Sequence, residues 1–397
     1  MKKSILFIAI AFVGFTACKK DKTEPTPEPT PTPVVDPNAT QKQQVKQTYA
    51  NIAFAVYDDA YLGTLALKTA INAFVLNPTA TGFQACKQKW LDVREIYGLT
   101  ETFRFVDGPI DDPANGPEGF INAWPMDEAY VDYVTGNATA GIINNSTTYP
   151  TIDQATLLTA NENGGEENIS LGFHAIEFLL WGQDLSASTA GVRPYTDYLT
   201  TGGTASNQAR RGQYLNTTVD ILVAGLKQVR DDWDPTVSGN YHSTFLALDN
   251  AVALRKMFNS LKVMSGVELS GERMYTAYTN MNQEDEHSCF SDNTHRDIYL
   301  NAKGMQNLYN GTYTRTNLTV VSGYALKDLV PLYDASKNND VINYLNSSIA
   351  KINLMYIPFD QAIILAPERP KVLASVNELQ ALETKIVAAA GALSISF

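Results

Sequence analysis

Histidine and cysteine are scarce in this chain: its 397 residues include four of the one and three of the other. No two of His174, His242, His287 and His295 stand at the His-Glu-x-x-His spacing, the pattern that gives helical zinc peptidases two imidazoles and an adjacent base. No Cys-x-x-Cys pair exists to suggest a structural zinc site, and Cys18, Cys86 and Cys289 are too few for a disulfide framework. A single Cys86–Cys289 bridge is compatible with the count. Alternating apolar and polar runs are nearly absent, and no Gly-x-Ser-x-Gly elbow offers a nucleophile. Beyond the N-terminal leader no segment is long and apolar enough to span a bilayer. Basic residues are also in deficit, 30 Lys and Arg against 42 Asp and Glu for a net charge of −12. That balance argues against nucleic acid as a partner and suits cation binding.

What is present begins with an address. Lys2 and Lys3 precede the apolar run Ile5 to Phe15, and Phe15-Thr16-Ala17-Cys18 closes it with small residues before a cysteine. This pattern predicts a lipoprotein signal over residues 1–17, cleaved to leave a lipidated Cys18 that tethers the chain to a bacterial membrane, the outer membrane first among the candidates. Residues 18–40, with proline alternating from Pro25 to Pro33, predict an extended tether. The folded body would face the periplasm or the cell surface.

From about Gln41 the periodicity is helical. Val45, Tyr49, Ile52 and Val56, then Leu62, Leu65, Thr69 and Ala73, recur at three and four residues up to Asn77-Pro78. Further helices are expected over about 83–103, 209–229, 245–263, 271–278, 295–310, 325–337, 340–357 and 370–391, with a glycine-bounded break at Ser265-Gly266. The body exceeds one helical bundle, so two all-α halves are expected, 41–207 and 208–397. Ser170-x3-His174 is echoed by Ser291-x3-His295, which suggests a duplication.

The most informative stretch is Ser170 to Trp181. At helical spacing Ser170, His174, Glu177 and Trp181 form one polar stripe among Leu171, Phe173, Ile176, Phe178 and Leu180. Burying a carboxylate without compensation costs about several kcal/mol, so Glu177 must meet a metal, a cation or a hydrogen-bond network. A plain His174–Glu177 hydrogen bond closing a helix contact is the alternative. His242 and His287 sit in polar surroundings and are expected in solvent, whereas Cys289 beside Phe290 is expected in the core.

The same stretch resembles the imelysin family, whose mark is Gly-x-His-x-x-Glu, here Gly172, His174 and Glu177. The likeness extends in order through Trp90-x3-Arg94-Glu95-x-Tyr97, Trp124-Pro125, Arg193-Pro194-Tyr195, Arg210-Arg211-x2-Tyr214, Ser270-Gly271-Glu272-Arg273 and Cys289 to His295. The resemblance implies an all-helical protein of two bundle-like halves with a site at their interface, located in the cell envelope and linked to iron uptake or regulation, with a peptidase name attached to the group. On that reading His174 and Glu177 bind a metal ion, iron ahead of zinc and calcium, for uptake or sensing. Asp292, His295, Glu95 and Glu272 are the further candidate ligands, and Glu101 a neighbouring acid. Ser170, Gly172, Trp181, Arg94, Arg273 and Ser291 are expected to line the site. Glu95 and Glu272 adjoin Arg94 and Arg273, so a salt-bridge cluster without metal is the rival arrangement. The rival functions are a metal-dependent peptidase and a saccharide- or peptide-binding module; partners would be a metal or small ligand, the membrane and iron-transport proteins.

Overall fold

Ahead of Asn77-Pro78 the apolar periodicity produces one long helix, α1 (Ala39–Leu76). The computed structural model describes residues 36–397, and the leader, Cys18 and most of the tether lie outside them. Thr79 caps the next helix, α2 (Ala80–Tyr97), accepting a hydrogen bond from the Gly82 amide at 3.0 Å. A 3-10 turn, Thr100–Phe103, follows where the sequence suggested continued α-helix. The remaining principal helices are α3 (Gly172–Trp181), α4 (Gln208–Trp233), α5 (Asn250–Val263), α6 (Thr294–Asn310), α7 (Pro331–Ile352), α8 (Phe359–Ile364) and α9 (Arg369–Ala392). The fold is all-α as expected; among the described residues the strands form one small hairpin, β1 (Thr312–Thr314) with β2 (Val320–Ser322).

Asn38–Phe397 form one compact unit. Within it α1 lies along α2 and α4, and α3 packs on α2 and α4. A second group pairs α7 with α9 and sets α9 against α5. The first group therefore draws α4 from beyond position 208, and the apolar side chains of both groups join in a single core.

Two expectations about local structure need correction. Ser265-Gly266 does not break the chain: Met264–Tyr275 continues α5 as a π-helix. Gly266 serves a close approach, since a Cβ there would fall 2.0 Å from a Glu383 carboxylate oxygen on α9. The expected helix over 245–263 divides at Asp249, which caps α5 through the Ala251 amide at 2.8 Å.

Candidate functional site

The Gly-x-His-x-x-Glu segment is positioned by its glycine. Gly172 has φ of +83°, and a Cβ on it would stand 2.5 Å from the Ile121 carbonyl oxygen. This close approach starts α3 against the 118–122 turn, and Gly182, φ +74°, ends the helix ten residues on. Every residue of α3 is buried. Ser170 lies ahead of the helix rather than on its stripe. Its hydroxyl donates to the Leu157 carbonyl at 3.0 Å, so it secures a loop and does not reach the site.

His174 and Glu177 are fully buried and joined, Nδ1 to Oε2, at 3.2 Å. The other oxygen of Glu177 accepts from the Ser291 amide at 3.0 Å and the Ser291 hydroxyl at 2.6 Å. Both carboxylate oxygens are thus engaged. Burial pushes the Glu177 carboxyl up to about 8, against the lowering effect of Ser291 and Arg94. Burial, then His287 and Arg94, hold His174 well below the usual imidazole range, so it is neutral near pH 7. Among the described residues His174 Nε2 has no hydrogen-bond partner.

His287 is the residue the sequence misplaced. Its acidic neighbours Glu284, Asp285 and Glu286 suggested solvent, yet it is buried, and its ring meets His174 edge-on with centroids 4.9 Å apart. Its Nδ1 faces Asp297 at 3.3 Å, while Nε2 lies 3.4 Å from the Asn122 amide nitrogen. Burial first, then Arg273, lowers its pKa despite Asp297. Two imidazoles therefore stand side by side, each with Nδ1 on a carboxylate. His242 is also buried, far from solvent expectation, and nothing links it to this site.

A cavity of about 530 Å³ opens beside the pair, lined by Arg104, Glu118, Trp124, Glu272, Arg273 and His287 among others. His174 and Glu177 are not in its wall. They lie directly behind it, because Trp124 and His287, which are, each meet the His174 ring at 4.9 Å between centroids. The π-helix supplies Glu268, Glu272 and Arg273 to this wall. Its wider turn brings residues five apart together, so Arg273 donates to Glu268 at 2.8 Å.

The arginines are committed to carboxylates. Arg94 pairs with Asp297 at 2.9 Å and donates to Asn122 at 2.5 Å. Arg273 binds Glu101 at 2.6 Å, with Arg104 at 3.4 Å from the same carboxylate oxygen. These ion pairs hold the buried Glu101 carboxyl down to about 2 despite burial, with Arg273 and Arg104 the main lowering causes. Its usual value is 4.5, so the charged form contributes about 3 kcal/mol above pH ~4.5, lost as pH falls toward 2. The stability difference between wild type and Glu101→Gln, followed by urea unfolding from pH 6 to 2.5, is accordingly expected to shrink on the acid side.

Of the other expected residues, Glu95 is half-exposed and held by Arg296 through two contacts of 2.7 Å, so it takes no part in the site. Trp181 packs edge-on against Trp90 at 5.3 Å in the core. Asp292 and His295 do not reach His174 and Glu177: His295 Nδ1 contacts the Asp292 carbonyl at 3.1 Å, and the Asp292 side chain joins other acids, described below. The loop's contribution to Glu177 is Ser291. Ser170 and Ser291 thus hold different partners, a carbonyl of the helix Gln154–Ala160 and a site carboxylate. Cys289 is buried, and Cys86 and Cys289 are both free thiols.

A family model described as Imelysin matches residues 53–386. Two solved structures share the fold. One, described as an iron-regulated protein A precursor from Parabacteroides distasonis, has a TM-score of 0.69 at 16% identity, over 90% of this chain and 97% of that one. The other, an imelysin-like protein from Psychrobacter arcticum, has a TM-score of 0.61 at 15% identity, over 91% and 99%. No curated protein matches the chain.

Proposed function

Since the chain belongs to the imelysin family, we propose that it is a cell-envelope metal-binding protein holding a transition-metal ion, iron first, behind the central cavity for uptake or sensing. The observation that carries this reading is the paired arrangement His174–Glu177 and His287–Asp297. Metal-bound histidines commonly donate their second ring N–H to a carboxylate, which fixes the tautomer and ring orientation. Here both Nδ1 atoms face carboxylates, and His174 Nε2 is buried, neutral and without a partner. That donor set fits a metal of borderline softness, with imidazole nitrogen supplied by His174 and His287. Glu177, engaged on both oxygens, orients His174. Of the expected acids, Glu272 is the one among the residues lining the cavity. The name of the Parabacteroides protein supports iron over zinc. Attachment through Cys18 belongs to this proposal on sequence grounds alone.

Anaerobic titration with Fe(II) tests it. One tight site is expected, lost in His174→Ala; Glu177→Gln, which removes the orienting carboxylate, should weaken binding about 10–100-fold. Wild-type affinity in a folded His174→Ala protein would refute the assignment. Casein cleavage that vanishes with the same substitutions would favour the peptidase instead.

A further inference from the structure

Most buried carboxylates of this protein meet an arginine. Asp59 faces Arg315, Asp132 faces Arg193 and Arg211, Glu101 faces Arg273, and Asp297 faces Arg94. One group of acids departs from that pattern. Asp184 lies just past the end of α3, Glu286 and Asp292 in the loop before α6, and Asp360 in the first turn of α8. Asp184, Glu286 and Asp360 are 3%, 0% and 1% exposed, and Asp292 is half-buried.

The oxygens of three of these acids face one another. One carboxylate oxygen from each of Asp184, Asp292 and Asp360 lies within 4.8 Å of the others. Asp184 adjoins Asp292, and Glu286 adjoins Asp360. No hydrogen-bond donor of acceptable geometry reaches Asp184 Oδ2, Asp292 Oδ1, or either carboxylate oxygen of Glu286 and Asp360. Among the described residues no lysine or arginine is a main influence on any of the four. Burying acceptors against acceptors costs about several kcal/mol per ion unless a cation or protons intervene. Burial raises all four groups, joined by neighbouring acids at Asp184, Glu286 and Asp292, and Asp184 and Asp292 are pushed up to about 7.

The geometry points to a binding site for a hard divalent cation of the calcium type, formed by Asp184, Asp292 and Asp360 with Glu286 beside Asp360, and separate from the His174–Glu177 pair. Oxygen alone faces this centre, and the nearby imidazole of His295 is turned to a backbone carbonyl, so the donor set disfavours softer metals. Calcium accepts several carboxylate oxygens at about 2.3–2.6 Å in flexible geometry, whereas magnesium keeps most of its waters and is bound through one or two carboxylates, so a buried group of three carboxylates favours calcium. A neighbouring cavity of about 330 Å³, lined by Asp184, Asn282, Gln283, Glu284 and Asp360, provides a polar entrance. The surroundings fix the ligands: the Ser186 amide donates to Asp184 Oδ1 at 3.0 Å, and the Gln283 side chain to the Asp184 carbonyl at 2.7 Å. An ion here joins the end of α3 to the loop carrying Ser291 and to α8, three segments distant in sequence.

The test is calorimetric titration of the full chain, stripped with EDTA, with CaCl2 and MgCl2 at pH 7.5, together with thermal unfolding. One calcium site is expected, at least tenfold tighter than for magnesium, with a calcium-dependent rise in Tm. Asp184→Asn combined with Asp360→Asn should weaken calcium binding at least 100-fold, and the metal-free variant should melt above metal-free wild type because repulsion is relieved. His174→Ala should bind calcium as wild type does. If that variant loses calcium, the ion belongs to the histidine site and the proposal falls. It falls equally if wild type shows neither binding heat nor a Tm shift at millimolar calcium, which would assign the acids to shared protons. Should the double variant fail to fold, Asp292→Asn read in the same titration replaces it, with wild-type affinity overturning the site.

Discussion

Asp132→Ala is expected to lower the unfolding free energy by about 3–5 kcal/mol, the cost of stranding buried charges whose partner has been removed. Asp132 is fully buried between two guanidinium groups. Arg193 Nη1 and Arg211 Nε both reach its Oδ2 at 2.6 Å, and Arg211 Nη2 reaches Oδ1 at 2.9 Å. Both guanidiniums also lie over the Tyr133 ring, at 4.8 and 5.3 Å. Without the carboxylate, Arg193 keeps only a 3.5 Å contact to Asp197, and Arg211 a bond to the Asp197 carbonyl. The consequence extends to the site, because the Arg193 amide donates to the Trp181 carbonyl at 2.7 Å and so ties down the end of α3, while Arg211 is on α4. Urea unfolding at pH 7 measures the loss. A change below 1 kcal/mol would mean that water reaches the guanidiniums and that the cluster is not sealed.

Gly172→Ala should be comparably damaging, about 3 kcal/mol or more, although it alters no chemical group of the motif. An alanine at φ +83° carries backbone strain of about 1–2 kcal/mol, and its Cβ also meets a backbone oxygen at 2.5 Å, a contact that no rotamer change relieves. The 118–122 turn or the start of α3 must shift, and with either goes the placement of His174 beside His287. Weaker Fe(II) binding is expected alongside the lower Tm. Gly271→Ala is the control: nothing lies within 4 Å of the added methyl group, so stability should hold or rise slightly. Equal effects at the two positions would show that the glycine of the motif is not there for its backbone.

Several features were legible because their cause is local. The α1 periodicity, the stop at Asn77-Pro78 and the burial of Glu177 all follow from the side chains within a few turns. The π-helix was not legible, because Gly266 reads as a break in isolation and acts as a contact surface only once α9 lies against it. His287 was misread for the same reason. Its acidic neighbours suggested water, and only Phe290, three residues on, hinted that this loop turns inward to pack on Trp124 and Phe178. Nothing around Asp184 or Asp360 marks either as a ligand, since their meaning depends on each other.

By itself, then, the sequence determined the helical class and the pair His174 and Glu177, since one turn of helix brings an imidazole and a carboxylate together whatever surrounds them. Tertiary structure alone decided their partners. It supplied Ser291 and His287 from more than a hundred residues away, and it gathered Asp184, Asp292 and Asp360 around one point. A side chain's chemistry depends on which charges and donors share its low-dielectric surroundings, and residues far apart in the chain become neighbours only through packing.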